Sequence, residues 1–173
     1  IIEALHHLIQ QLLTETPVQL QHWQTRLQEA LEDNGQILID LIPELELLIG
    51  EQPAVPPLSE AAAQNRFYQV VNQLIQVFCR AEHPVVMFLD DLQWADLESL
   101  QLVENVLNQG TQSYFLFIGA YRDQEVDVTH PLNKIWNKIQ ETETPVDHIQ
   151  VQPLTIENVT NLVNDTLKQE VDP

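Results

Sequence analysis

The N-terminal part of the chain carries apolar side chains at helical spacing. Residues 1–13 predict a first amphipathic helix, which a threonine-proline pair interrupts. The same spacing over residues 18–33 predicts a second helix, and Asn34-Gly35 is expected to supply its left-handed exit. Because so short a break joins the two helices, we expect them to form a helical hairpin.

The next stretch is interrupted by prolines. Residues 36–49 are strongly apolar around Pro43, and the missing backbone donor of this proline predicts two short helices, with a strand as the alternative. Residues 51–58 contain three prolines and no periodicity, which predicts an extended connector. We expect the chain to divide there into a helical portion with its connector, residues 1–58, and a second part, residues 59–173.

The second part alternates helical patterns with short apolar runs. Ser59 is expected to cap a long helix that continues to about Ala81. The run 85–89 shows no polar alternation, which is typical of a strand covered on both faces, and residues 114–120 have the same character. A third strand is predicted over residues 147–152.

Helices are predicted between and after these strands. Asp96 can cap a helix over residues 97–108 that Gly110 closes, Pro131 fits the first turn of another, and residues 156–169 form a third. Alternating strands and helices favour right-handed crossovers on a mostly parallel, three-layered sheet. The predicted fold class is therefore α/β, with a helical N-terminal portion.

The composition excludes several classes of protein. Of the 173 residues, 26 are acidic and 7 are basic, and the formal net charge of −19 argues against nucleic acid as a partner. A disulfide framework is excluded because the single cysteine, Cys79, has no mate, and its apolar helical setting predicts a buried thiol. No apolar run approaches the roughly 18 residues that cross a bilayer, and no basic stretch precedes an apolar core at the start of this sequence, as a signal peptide requires. We therefore expect a cytoplasmic protein that does not insert into membranes.

Two acidic residues follow the first predicted strand directly. Asp90 and Asp91 stand at the strand end where open α/β sheets bind ligands. Adjacent carboxylates there suit a hard cation, because one can hold Mg²⁺ while its neighbour orients an attacking water. The structural alternative is that one acid caps the next turn and the other faces solvent. A metal-dependent phosphoesterase built on Asp90, Asp91 and Asp96 is a further alternative.

An arginine follows the second predicted strand. Arg122 is one of four arginines in an otherwise anionic chain, and its fork of donors matches a terminal phosphate. Because neighbouring parallel strands end at the same edge of a sheet, this side chain can reach the pocket of the two acids. The alternative is a structural ion pair with Asp123, Glu125 or Asp127.

The amino-acid sequences of these segments resemble those of a known family. Residues 85–96, VVMFLDDLQWAD, resemble the Walker B segment of bacterial AAA-like and STAND ATPases, which are P-loop NTPases. Residues 117–126, FIGAYRDQEV, are similar to the sensor-1 strand and arginine of that group, followed by a matching His-Pro-Leu at 130–132. Residues 40–45 and 50–53 are similar to a helical stretch of large multidomain bacterial kinases. Those proteins combine a serine/threonine kinase, this ATPase module, a GAF domain and often a histidine kinase.

The resemblance implies a role for each of the candidate site residues. Asp90 would coordinate Mg²⁺ as the Walker B acid, Asp91 would polarise water, and Arg122 would face the γ-phosphate. ATP and Mg²⁺ are thus the implied cofactors of the intact signalling protein, whose other domains are the implied partners. Many such ATPases carry glutamate at the position of Asp91. The side chain of aspartate is shorter, so the resemblance alone does not fix the rate of hydrolysis.

The chain departs from this family by lacking a phosphate-binding loop. The G-x-x-x-x-G-K-[ST] motif is absent, since none of the four glycines precedes a lysine. The chain also opens within a helical pattern and stops without a tail, so we expect a fragment that neither binds ATP tightly nor hydrolyses it alone. In the resembling fold the P-loop strand lies beside the sensor-1 strand. Its absence should expose strand edges, and a homodimer through these edges is one expected compensation.

Weaker signals support other classes of protein. The acids of residues 123–127 alternate as in a calcium loop, but Lys134 stands where the last ligand should be. Adjacent His6 and His7 point to different sides of a helix, which disfavours a zinc site. The leucine-rich helices of residues 1–49 leave open a non-catalytic scaffold that signals through protein partners.

Overall fold

The structure, a computed structural model, describes residues 1–108, 113–142 and 144–167. Helices dominate the N-terminal half, and a pair of strands lies among helices in the second half. In chain order the elements are α1 (Ile2–Leu12), α2 (Pro17–Leu31), α3 (Gly35–Ile39), α4 (Leu45–Ile49), α5 (Glu60–Phe78), β1 (Val85–Leu89), α6 (Leu97–Asn108), β2 (Phe115–Gly119), α7 (Pro131–Gln140) and α8 (Ile156–Leu167).

Local signals in the sequence explain most helix boundaries. Helix α2 begins with a capping box, in which Thr16 and Gln19 each accept a hydrogen bond from the backbone of the other, and Pro17 occupies the first turn. The split of the next stretch at Pro43 into α3 and α4 is confirmed. Helix α2 packs mainly against α5 and α4, so the hairpin predicted for α1 and α2 is not its main contact.

The prediction of a left-handed exit at Asn34-Gly35 is wrong. Helix α2 ends at Leu31, the next residue Glu32 has φ 47°, and Gly35 has φ −55° and begins α3. A close approach explains this glycine instead, because a Cβ atom there would lie 2.8 Å from Oε1 of Gln52. The nearby side chain of Gln52, and not a left-handed turn, therefore restricts position 35.

The predicted connector and long helix are present with small differences. Residues 50–59 contain neither helix nor strand, as expected for a proline-rich connector. Helix α5 ends at Phe78, before Ala81, because Cys79 adopts extended dihedrals and an isolated antiparallel bridge joins Arg80 to His83.

One apolar core joins the helical portion to the sheet. It contains buried side chains from α1 to α5, together with Met87 of β1 and Leu102 and Val106 of α6. A second cluster, centred on Leu100 of α6, joins that helix to α7. The division of the chain at the connector stays a prediction, although the first core includes residues from both sides of it.

The two strands form a parallel pair, which confirms the α/β class. Val85 pairs with Phe115 and Leu89 with Gly119, so both strands end at the same edge. The expectation that the strands are covered on both faces is wrong for the described residues. One face packs on the core, whereas the open sheet face has side chains 43–59% exposed: Val86, Phe88, Leu116 and Ile118.

The third predicted strand, over residues 147–152, does not form. Its alternating pattern is that of a strand, with Ile149 and Val151 both exposed, but a strand needs a neighbouring edge for its backbone hydrogen bonds. Helix α8 begins at Ile156 as predicted. Residues 168–169, predicted as its end, and Gly110, predicted to close α6, lie outside the described residues.

The capping box of α2 supplies a test of helix stability. We expect Thr16→Ala to lower the free energy of unfolding by about 1 kcal/mol, because the backbone N–H of Gln19 loses its acceptor. Urea denaturation followed by circular dichroism measures the change. The matched control is Thr25→Ala, the same substitution within the same helix, where higher helix propensity should leave stability unchanged or slightly raised. Equal losses from both substitutions would contradict the assigned cap.

Candidate functional site

The carboxyl ends of β1 and β2 bring two loops side by side. The backbone N–H of Ala120 donates to the carbonyl of Leu89 at 2.9 Å, and that of Leu92 donates to Ala120 at 3.0 Å. These bonds continue the parallel pairing beyond the strands. The candidate site lies on the two loops, whose residues 92–94 and 123–125 form short 3₁₀ turns.

The two acids adopt a compact arrangement after β1. Oδ1 of Asp90 accepts the backbone N–H of Asp91 at 2.9 Å, and Asp90 is exposed to solvent. Asp91 has φ 53° and ψ 41°, a left-handed conformation that aspartate tolerates better than most residues. This backbone turn redirects the chain away from the strand and presents both carboxylates at the edge of the sheet.

Arg122 reaches across from the end of β2 to the loop of the acids. Its Nε lies 3.7 Å from Oδ1 of Asp91, and its guanidinium donates to Oε1 of Glu125 at 3.2 Å. The guanidinium also lies over the ring of Trp94, 5.5 Å from its centroid, and the indole N–H donates to Glu125 at 3.0 Å. The expected convergence with the acids and the alternative pairing with Glu125 therefore coexist.

Two polar residues that the sequence analysis missed connect these groups. Gln93 is buried, with 6% of its surface exposed, and its side-chain amide contacts both loops. Nε2 donates to Oδ1 of Asp91 at 2.8 Å, and Oε1 accepts the backbone N–H of Arg122 at 3.2 Å. His130, at the start of α7, lies 3.0 Å from the backbone carbonyl of Gln93. The sequence signals were a glutamine between two large apolar residues and the histidine of the His-Pro-Leu at 130–132.

The other acids near the site have structural partners. Asp96 accepts the backbone N–H of Ser99 at 2.6 Å, which confirms the predicted cap of α6 and lowers the pKa of its carboxyl. The hydroxyl of Thr129 bonds to Asp127 and lowers the pKa of that carboxyl in the same way. These bonds favour structural roles over metal ligation for both acids.

The donors of the site fit part of a magnesium shell. Mg²⁺ is commonly held by one or two carboxylates, with water and phosphate oxygens completing six ligands. Asp90 offers exposed carboxylate oxygen of this kind, next to Asp91. In residues 1–108, 113–142 and 144–167, no group of three or more His, Cys, Asp or Glu side chains could hold a metal by itself. Any cation would thus need ligands from a nucleotide or from water.

The remaining candidates from the sequence have ordinary surroundings. His6 forms a 2.6 Å contact with Glu44 on the loop before α4, and its ring lies 6.3 Å from that of His7. Cys79 is half-buried, and burial raises the pKa of its thiol to about 11. Among the described helices, none combines the length and the apolar character needed to span a membrane.

Comparisons with known proteins identify similar sequences. The family model described as the AAA ATPase domain matches residues 1–118, which include Asp90 and Asp91 but stop short of Arg122. The chain is 36% identical over 104 residues to hybrid signal transduction histidine kinase G of Dictyostelium discoideum. This match covers 60% of the chain but only 3% of that much longer protein. No solved structure matches the chain.

Proposed function

Since the chain belongs to the AAA ATPase domain family, we propose that it supplies the acidic half of a Mg·ATP site within a longer signalling protein. The single observation that carries the proposal is the convergence of Asp91 and Arg122, whose Oδ1 and Nε atoms are 3.7 Å apart at a shared edge of a parallel sheet. A relative that is a histidine kinase supports an ATPase-like regulatory module in a signalling context.

The proposed roles follow from the position and chemistry of each side chain. Asp90, the exposed acid, holds the cation, and Asp91 orients the attacking water. Arg122 carries a fixed positive charge beside them and stabilises negative charge that develops on a terminal phosphate. When bound, Mg²⁺ supplies charge neutralisation at the phosphate oxygens. The Walker B and sensor assignments are parts of this proposal.

We extend the proposal to the kind of protein that carries the domain. The match to a small part of a long histidine kinase supports one module among several. The finer attribution, to a STAND-type module of a bacterial serine/threonine kinase, depends on the resemblance of residues 85–96 and 117–126 to that group. The relative named above comes from Dictyostelium, so a bacterial source depends on the resemblance alone.

Nucleotide binding with and without upstream sequence tests the proposal. Isothermal titration of Mg·ATP into the 173-residue chain should give a dissociation constant weaker than about 1 mM, since no phosphate-binding loop is present. An extended polypeptide that adds upstream sequence with such a loop should bind Mg·ATP at micromolar concentrations. Chelation of the cation with EDTA is the control and should weaken binding. Absence of binding by the extended polypeptide would overturn the nucleotide proposal.

The open sheet face favours a second candidate, a non-catalytic interaction module. Its apolar side chains, Val86, Phe88, Leu116 and Ile118, are 43–59% exposed on adjacent strands. A second copy of the chain, packed against this face with its own open sheet face, is the partner that this candidate proposes. Sedimentation velocity would then detect a dimer, and Asp90→Asn would have no effect on it. A monomer at every concentration, with Mg·ATP binding by the extended polypeptide, would favour the ATPase module.

A further inference from the structure

The buried side chain of Gln93 touches both loops of the candidate site. It belongs to the 3₁₀ turn after β1, yet its amide oxygen bonds to the backbone N–H of Arg122 after β2. Its amide nitrogen donates to the carboxylate of Asp91. Only 6% of Gln93 is exposed, so both bonds are shielded from competition with bulk water.

The orientation of the Gln93 amide is fixed by its partners. An ionised carboxylate can only accept hydrogen bonds, and a backbone N–H can only donate them. The nitrogen must therefore face Asp91, 2.8 Å away, and the oxygen must face the N–H of Arg122, 3.2 Å away. A flipped amide would place two acceptors together and two donors together, so only one orientation of the amide satisfies both partners.

His130 fixes the backbone of the same residue. Nδ1 of His130 accepts the N–H of Leu132 at 3.2 Å, so this nitrogen has no proton. The other ring nitrogen, Nε2, must then carry the proton and donate to the carbonyl of Gln93 at 3.0 Å. Through this bond the N-terminus of α7 holds the turn that contains Gln93.

We infer that Gln93 is a positioning residue that fixes Asp91 relative to Arg122, with His130 holding it in place. The inference rests on the proposed function, because the groups that it aligns are the proposed water-orienting acid and phosphate-facing arginine. Gln93 itself is only 6% exposed, and its side chain bonds to Asp91 and to the backbone of Arg122. Its effect on turnover should therefore act through Asp91 and Arg122.

Two substitutions separate the two hydrogen bonds of the amide, the one from the backbone N–H of Arg122 and the one to Asp91. Gln93→Met has a similar volume but loses both hydrogen bonds. Gln93→Glu keeps an acceptor for the N–H of Arg122 but replaces the donor to Asp91 by a second negative charge. Gln124→Met is the matched control, because Gln124 is an exposed glutamine of the second loop.

Amide hydrogen exchange of the 173-residue chain, followed by NMR without nucleotide, measures the hydrogen bond from the backbone N–H of Arg122 to Gln93. Exchange at Arg122 should accelerate about three- to tenfold in Gln93→Met, the range expected for one hydrogen bond. It should stay within about twofold of the wild-type rate in Gln93→Glu and Gln124→Met. Amides of Leu92 and Ala120, which bond across the strand ends, are internal controls and should keep their protection in every variant.

Turnover by the extended polypeptide tests whether the bond from Gln93 to Asp91 matters for catalysis. Both Gln93 variants should lower kcat about tenfold and leave KM within about twofold, since Gln93 positions groups and does not bind substrate. Equal loss of protection at Leu92, Ala120 and Arg122 would mean that Gln93 only supports the local fold, and would overturn the inference. An unchanged rate at Arg122 in Gln93→Met would overturn it too. If the extended polypeptide binds no Mg·ATP, the proposed function fails while the exchange result still decides whether Gln93 links the two loops.

Discussion

Asp90→Asn is expected to lower Mg·ATP turnover by the extended polypeptide about a hundredfold or more. The substitution preserves the shape of the side chain but removes the charge that would hold the cation, which contributes several kcal/mol to stabilising the transition state. The amide can still accept the backbone N–H of Asp91, so the loop should keep its conformation. Steady-state kinetics at saturating Mg·ATP measure the effect on kcat.

Controls distinguish this loss from a general effect of charge. Asp33→Asn removes the same charge from the exposed turn after α2 and should leave turnover unchanged. Arg122→Ala is the companion substitution and should also impair turnover or nucleotide-driven switching, because its guanidinium no longer reaches the acids. Wild-type kinetics in both Asp90→Asn and Arg122→Ala would defeat the assignment of these residues.

Leu74→Ala is expected to lower the free energy of unfolding by about 3 kcal/mol. Leu74 lies in the middle of α5 with 0% of its surface exposed, inside the core that α1 to α5 share with β1 and α6. Truncating such a leucine removes buried apolar contacts and leaves a cavity, which costs about 2–5 kcal/mol. Urea denaturation monitored by circular dichroism and by tryptophan fluorescence measures the loss.

An exposed leucine provides the matched control for this substitution. Leu47 of α4 is 76% exposed, so Leu47→Ala should change stability by no more than about 0.5 kcal/mol. A core shared across the connector further predicts that both probes report one unfolding transition. Separate transitions for the helical portion and the sheet would instead support two independent domains, divided near residue 58.

Signals that act within a few residues predicted much of the fold. The missing donor of Pro43 split one helix, and the carboxylate of Asp96 capped another. Neither depends on distant parts of the chain. Gly35 was assigned incorrectly because its neighbour Gln52 is seventeen positions away and no local pattern reveals that contact. The strand predicted over residues 147–152 failed because strand formation requires an adjacent edge, which periodicity cannot supply.

The sequence predicted which residues of the candidate site lie together, but not the hydrogen bonds that connect them. Asp90, Asp91 and Arg122 could be placed together because parallel strands end at a common edge, and the observed register has that property. Their chemical roles stay predictions. No site role could be assigned to Gln93 or His130 from the sequence, because their contribution lies in hydrogen bonds between three separate segments, and a single sequence does not show which segments meet.

The open sheet face has a consequence for the colloidal behaviour of the protein. Apolar side chains on an uncovered sheet face can pack against the same face of another molecule, which is a route to aggregation. The net charge of −19 opposes such contacts at neutral pH through mutual repulsion between molecules. That repulsion vanishes close to the isoelectric point, near pH 4.3, where nothing opposes association of molecules through this face. Acidic buffers are therefore the conditions under which this chain should self-associate most readily.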